Sequence, residues 1–148
     1  MRHAIGPVLL AAALSLFNAA CADPFVAVRD ETHPAGARFL VSATIEEWPN
    51  GYFSTAITIR NTSTKPLPLR ADMFRLEGTP PTSFVPADRI PMMMGRAGYR
   101  MPARVEAKSS AQGEIFFGIR GTEFPNGPIK LVIDLPDGAH VFEFELVS

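Results

Sequence analysis

The chain has 148 residues, a formal net charge of −1 and one cysteine. A near-neutral chain has no overall electrostatic drive toward nucleic acids or anionic membranes, so a nucleic-acid-binding function is not expected. A single cysteine excludes an internal disulfide, so packing must stabilise the fold.

The first 22 residues have the pattern of a secretory signal. Arg2 precedes a mostly apolar run over 4–17, and small residues follow up to Ala22. A basic start, an apolar middle and a small-residue exit are typical of cleaved export signals. The run is shorter than the roughly 20 apolar residues that span a bilayer, so no transmembrane segment is expected after processing. Cleavage of 1–22 would leave one domain, residues 23–148, in the periplasm or outside the cell.

Cys21 leaves two forms of the exported product open. Small residues at Ala20 and Ala22 fit cleavage before Asp23, which gives a soluble protein. Alternatively, Cys21 is the lipidated residue of a membrane-anchored bacterial lipoprotein. Such a signal has Leu or a similar apolar residue three positions before the cysteine. Asn18 stands there instead, so simple cleavage is favoured.

The composition of residues 23–148 indicates an all-β domain. The 14 prolines of the chain are spread along it, and long helical periodicity is absent. Short strands joined by turns are therefore expected. About seven to nine strands in a domain of this length predict an antiparallel Greek-key sandwich of the immunoglobulin-like type.

Residues 39–60 predict a hairpin that turns at Trp48-Pro-Asn-Gly-Tyr52. A two-residue loop would place Ile57 opposite a polar residue. A three-residue loop, with Gly51 in the left-handed conformation, places Ile57 opposite Ala43 and matches apolar with apolar side chains. Proline also fits the first corner of the type I turn in such a loop, so the three-residue loop is favoured.

The C-terminal segment predicts a second hairpin, with strands over 129–135 and 140–147. A two-residue Asp137-Gly138 loop is a favoured tight turn. It would place Ile133 opposite Phe142 and leave lysine and glutamate on the other face. An apolar face and a mostly charged face are typical of a half-buried antiparallel pair.

Three segments resemble secreted bacterial immunoglobulin-like domains. They are Tyr52–Ser63, where a strand ends in asparagine and small polar residues, Phe74–Leu76, and Gln112–Ile119, a strand that is opened by a glycine-containing turn and ends in an apolar run. The resemblance implies an antiparallel Greek-key sandwich. Because such folds serve many roles, the resemblance by itself names no activity.

Residues 90–101 are the most unusual local feature. If Gly95–Gly98 form a loop, strand alternation places four side chains on one face: Met92, Met94, Tyr99 and Met101. Methionine forms adaptable contact surfaces, and Arg96 and Arg100 add positive charge. The Met92–Met101 hairpin therefore predicts a binding surface for an envelope protein or an anionic surface component.

The same thioethers favour an alternative function. Met92, Met94 and Met101 together offer soft sulfur ligands that suit Cu(I). Segments 52–63 and 126–147 are similar to a periplasmic copper-chaperone family, which would imply copper handling. That family couples His and Met ligands in spaced motifs. This chain has no histidine between His33 and His140, so the His half of the pattern is missing.

No catalytic constellation is predicted. His33 and His140 each lack a neighbour at metal-ligand spacing in the sequence, so each is interpreted as a surface or strand-end histidine. The chain has no glycine-rich phosphate loop and no nucleophile motif. We expect an exported, non-enzymatic binding module of the cell envelope that needs no cofactor, with the copper-binding protein as the alternative.

Overall fold

The computed structural model describes residues 25–48, 51–79, 81–82, 84–86, 98–119 and 125–145. The predictions for the leader and Cys21 lie outside these residues. The described strands are β1 Phe25–Thr32, β2 Phe39–Trp48, β3 Tyr52–Asn61, β4 Leu67–Pro68, β5 Phe74–Gly78, β6 Phe84–Pro86, β7 Tyr99–Arg100, β8 Arg104–Val105, β9 Ser110–Ile119, β10 Ile129–Leu135 and β11 Gly138–Glu145. Within the described ranges the only helical segment is a 3₁₀ turn at Ala71–Met73. The all-β class is confirmed.

All of the described pairings are antiparallel. The strands follow the order β5-β10-β11-β1-β2-β3-β9-β6, with β7 also paired to β9 and with β4 paired to β8 separately. Strand β1 joins two halves, because its first residues pair with β2 and its later residues pair with β11. We call these halves the β2 sheet (β2, β3, β9, β6, β7) and the β11 sheet (β5, β10, β11).

One apolar core is shared by the two sheets. In β2 the odd-numbered residues from Phe39 to Ile45 are buried, and the residues between them are exposed. The two sheets each contribute fully buried aromatic rings to the same cluster: Phe53 and Phe117, and Phe142 and Phe144. Burying each such side chain stabilises the fold by about 1.5–3 kcal/mol. The arrangement is that of a β-sandwich, while its Greek-key and immunoglobulin-like connections stay predictions.

The first hairpin has the expected three-residue loop. Trp48 pairs with Tyr52, Val41 with Ile59 and Ala43 with Ile57. Gly51 has a φ of +77°, in the left-handed region that glycine adopts without a steric penalty. The matching of apolar side chains therefore predicts this register correctly.

The register predicted for the second hairpin is wrong by two residues. Leu135 pairs with Gly138, so the loop is Pro136-Asp137, and Leu131 faces Phe142. A primed turn at Asp137-Gly138 would need a positive φ at Asp137. Lys108 is the one non-glycine residue with a positive φ in the described part of the chain. A two-residue shift keeps every side chain on its expected face, because strand side chains alternate with a period of two.

Candidate functional site

The structure describes half of the six binding residues predicted in the Met92–Met101 hairpin. Met92, Met94 and Arg96 lie outside the described residues. Tyr99 and Arg100 form β7, which pairs with β9. Met101 follows directly and is 8% exposed.

Met101 belongs to the core, and its thioether lies over the backbone of Gly113. Glycine permits this approach, since a Cβ at position 113 would lie 2.7 Å from the carbonyl oxygen of Arg100. The ring of Tyr99 packs 6.0 Å from that of Phe74. Of the three predicted residues that are described, Arg100 is therefore the exposed one. A surface site of three thioethers that includes Met101 has no support in this geometry.

Arg100 borders a broad polar face of the β2 sheet. The register pairs even-numbered residues of β2 with even-numbered residues of β3 and β9, so these side chains share the side that points away from the core. We call this surface the outer face. Its middle rows carry small or polar side chains: Ser42, Thr44, Ala56, Thr58, Gln112 and Glu114.

Aromatic side chains cover one end of the outer face. Trp48 and Tyr52 lie opposite each other beside the hairpin loop, and both are half-buried. The Trp48 indole donates a hydrogen bond of 3.0 Å to Ser54 Oγ, and its ring lies 6.4 Å from that of Phe116. This packing leaves Ser54 4% exposed although it points away from the core.

A shallow groove of about 390 Å³ lies next to the aromatic end. Its lining residues are Ala56, Ile57, Thr58, Arg100, Gln112, Gly113 and Glu114. The groove exists because Ala56 carries only a methyl group between larger neighbours on this face. A guanidinium, a carboxylate and an amide therefore surround a small apolar floor.

A second arrangement lies in the β11 sheet, where His140 is fully buried. Its Nδ1 lies 3.0 Å from Nδ1 of His33, which follows β1, and its Nε2 lies 2.9 Å from Asp137 Oδ1. The other carboxylate oxygen of Asp137 accepts the backbone N–H groups of Arg38 and Phe39. His33 Nε2 lies 3.4 Å from Glu31 Oε2.

The histidines are thus members of one row, carboxylate–imidazole–imidazole–carboxylate. His33 is an exposed residue, as expected, whereas His140 is fully buried and not a surface residue. Sequence spacing does not show this contact, because 107 positions separate the two rings. A signal for the burial of His140 was present in strand alternation. His140 lies two positions before Phe142, so it shares the apolar face with Phe142 in either register.

The remaining charged clusters are solvated ion pairs on the sheet surfaces. Glu143 contacts Arg29 and Lys130, and Arg75 contacts Glu77 and Asp134. The hydrogen bond to Glu77 raises the pKa of Arg75 from its ordinary value, and Asp134 adds to this effect. These pairs explain the glutamates as a polar face, as the sequence predicts.

The described residues contain no group of three or more His, Cys, Asp or Glu side chains placed to hold a metal ion. They also contain no helix with the length and apolar character needed to cross a bilayer. Comparison with known protein families, curated proteins and solved structures found no match to this chain.

Proposed function

We propose that this protein is a non-catalytic binding module exported to the cell envelope, and that its contact surface is the outer face of the β2 sheet. The observation that carries the proposal is the composition of this surface. Arg100 lines a groove floored by Ala56, and Trp48, Tyr52 and Phe116 cover the end of the same face. Aromatic residues and arginine are the types enriched at the centres of protein interfaces.

A protein partner fits this surface. The aromatic rings offer large apolar area at a low cost in side-chain entropy, and Arg100 offers planar donors for a carboxylate. Glu114, the cross-strand neighbour of Arg100, offers an acceptor to a partner's backbone, and Gln112 offers an amide. The proposed partner therefore presents an apolar side chain beside a carboxylate.

The outer face also refines the binding surface predicted from the sequence. Arg100 is common to both surfaces, whereas Met101 and Tyr99 pack inward. The pattern over 1–22, from which the sequence predicts an export signal, supports the location of the proposed partner in the envelope.

Substitution of the groove floor tests this function. Ala56→Arg fills the groove with a long charged side chain, and Ala56 is exposed, so the fold tolerates the change. The matched control is Ala139→Arg, at an exposed position of β11 in the other sheet. We expect the partner captured from envelope extract, once purified, to bind at least about tenfold more weakly to Ala56→Arg. It should bind normally to Ala139→Arg.

Two further variants separate the alternatives. Arg100→Ala should weaken binding of the same partner, while the double variant Met92→Ser, Met94→Ser should leave it intact. The outer face is not the contact surface if the partner binds Ala56→Arg as tightly as the unmodified chain and loses binding only to the methionine variant.

A further inference from the structure

The contact between His33 and His140 leads to an inference that does not depend on the outer face. Both imidazoles direct their Nε2 atoms at carboxylates, Glu31 for His33 and Asp137 for His140. A carboxylate partner places the ring hydrogen on Nε2 and leaves Nδ1 with its lone pair. The two Nδ1 atoms then face each other at 3.0 Å. Two lone pairs repel at this separation unless a positive centre lies between them.

We propose that the His33–His140 pair is a binding site for a divalent transition-metal ion such as Zn²⁺ or Cu²⁺, which takes the place of the bridging proton. Imidazole nitrogen is a preferred ligand of both ions. Carboxylates that hold the second nitrogen of a ligating histidine are a recurring feature of metal sites, because they set the ring orientation.

The distance between the two nitrogens suits a shared ion. At a Zn–N bond of about 2.0–2.1 Å, two ligands at a tetrahedral angle lie about 3.3–3.4 Å apart. Two ligands at a right angle lie about 2.9 Å apart at the same bond length. The observed distance of 3.0 Å between the two Nδ1 atoms lies between these two values. Small ring rotations are therefore enough to admit the ion.

The surroundings hold one ring firmly and leave the other accessible. His140 is fully buried, and Asp137 is itself anchored by the N–H groups of Arg38 and Phe39. The side chain of His33 is 34% exposed, and its ring edge packs 5.5 Å from Phe142. The ion would enter from the His33 side. The protein supplies two nitrogens, and water or an external ligand completes the coordination.

Titration with Zn²⁺ tests the site. The untagged chain is titrated in a calorimeter, and imidazole ¹⁵N signals are recorded in parallel. We expect saturable binding of one Zn²⁺ per chain, with shifts of the Nδ1 signals of both histidines. His33→Ala should lower the affinity at least about tenfold. Asp30→Ala, which removes an exposed carboxylate of β1 outside this contact, serves as the matched control and should bind normally.

Two outcomes would overturn the proposal. One is the absence of saturable binding at a Zn²⁺ concentration of about 1 mM, which would show that only a proton lies between the rings. The other is unchanged affinity in His33→Ala. The Nδ1 shifts are measured on the unmodified protein, so the test does not depend on the folding of a variant.

Discussion

At the scale of single residues, Asn61 shows how one buried polar side chain joins separate segments. It is fully buried at the end of β3. Its amide nitrogen donates to the carbonyl oxygens of Lys65 and Val105, at 2.7 and 3.1 Å. Its Oδ1 accepts the N–H and the hydroxyl of Ser63. The amide therefore satisfies donors and acceptors on both sides of a turn.

Exchange of this amide for a carboxyl group of the same shape should destabilise the fold. In Asn61→Asp an oxygen replaces the donor and faces two carbonyl oxygens. A buried group that loses its partners costs about 1–3 kcal/mol, and more when it is charged. We expect the free energy of unfolding, measured by urea denaturation, to fall by at least about 2 kcal/mol. Asn126→Asp, at an exposed position, should change it by less than about 0.5 kcal/mol.

At the scale of elements, the close approach of β7 and β9 depends on a missing side chain. A Cβ at Gly113 would lie 2.7 Å from the carbonyl oxygen of Arg100 and 2.8 Å from the Cα of Met101. Both contacts are with main-chain atoms, which cannot rotate away as the end of a side chain can. The glycine thus holds β7, and with it Arg100, against the groove of the outer face.

Gly113→Ala should therefore separate these two strands. Overpacking of this kind costs typically about 1–3 kcal/mol. We expect a loss of stability in that range, measured by thermal unfolding, together with faster amide hydrogen exchange at Phe116, whose N–H donates to the carbonyl oxygen of Gly98 at 2.8 Å. The exposed neighbour on the same strand offers a control, since Gln112→Ala should leave both quantities nearly unchanged. A stable Gly113→Ala variant with unchanged exchange would show that β7 is not held by this contact.

At the scale of the whole molecule, stability comes from one core that both sheets line. Phe142 is fully buried in this core and also packs against the ring of His33. It therefore links β11, the segment after β1 and the shared interior. This contact also reaches the row of hydrogen-bonded side chains, because His33 is a member of it together with Glu31, His140 and Asp137.

Phe142→Ala should weaken the entire fold rather than one strand. Truncation of a buried phenylalanine costs about 3–5 kcal/mol, through lost burial and the cavity that remains. We expect a single cooperative unfolding transition at a lower urea concentration. Leu40, which is 56% exposed, provides the comparison. Leu40→Ala should shift the free energy of unfolding by less than about 0.5 kcal/mol, and an equal effect of both changes would contradict a shared core.

Parts of the fold could be predicted because the turn residues and the matching of apolar side chains across two strands indicate the same register. The first hairpin is one such part, since matching Ile57 with Ala43 selects one loop length. The second hairpin shows the limit of this reasoning. Two registers that differ by two residues bury the same faces, so the apolar pattern cannot separate them. The proline at the turn and the hydrogen bonds of Asp137 select the register that forms.

The sequence by itself determined the all-β class, the alternation that divides each strand into a buried and an open side, and the first hairpin. These follow from short-range rules on turns, periodicity and side-chain size. Only the tertiary structure decided that Met101 packs inward, that Arg100 borders a groove and that His33 meets His140. Each of these depends on strands that are distant in the chain and adjacent in the sheets. Their register is selected by packing and hydrogen bonds across the whole molecule.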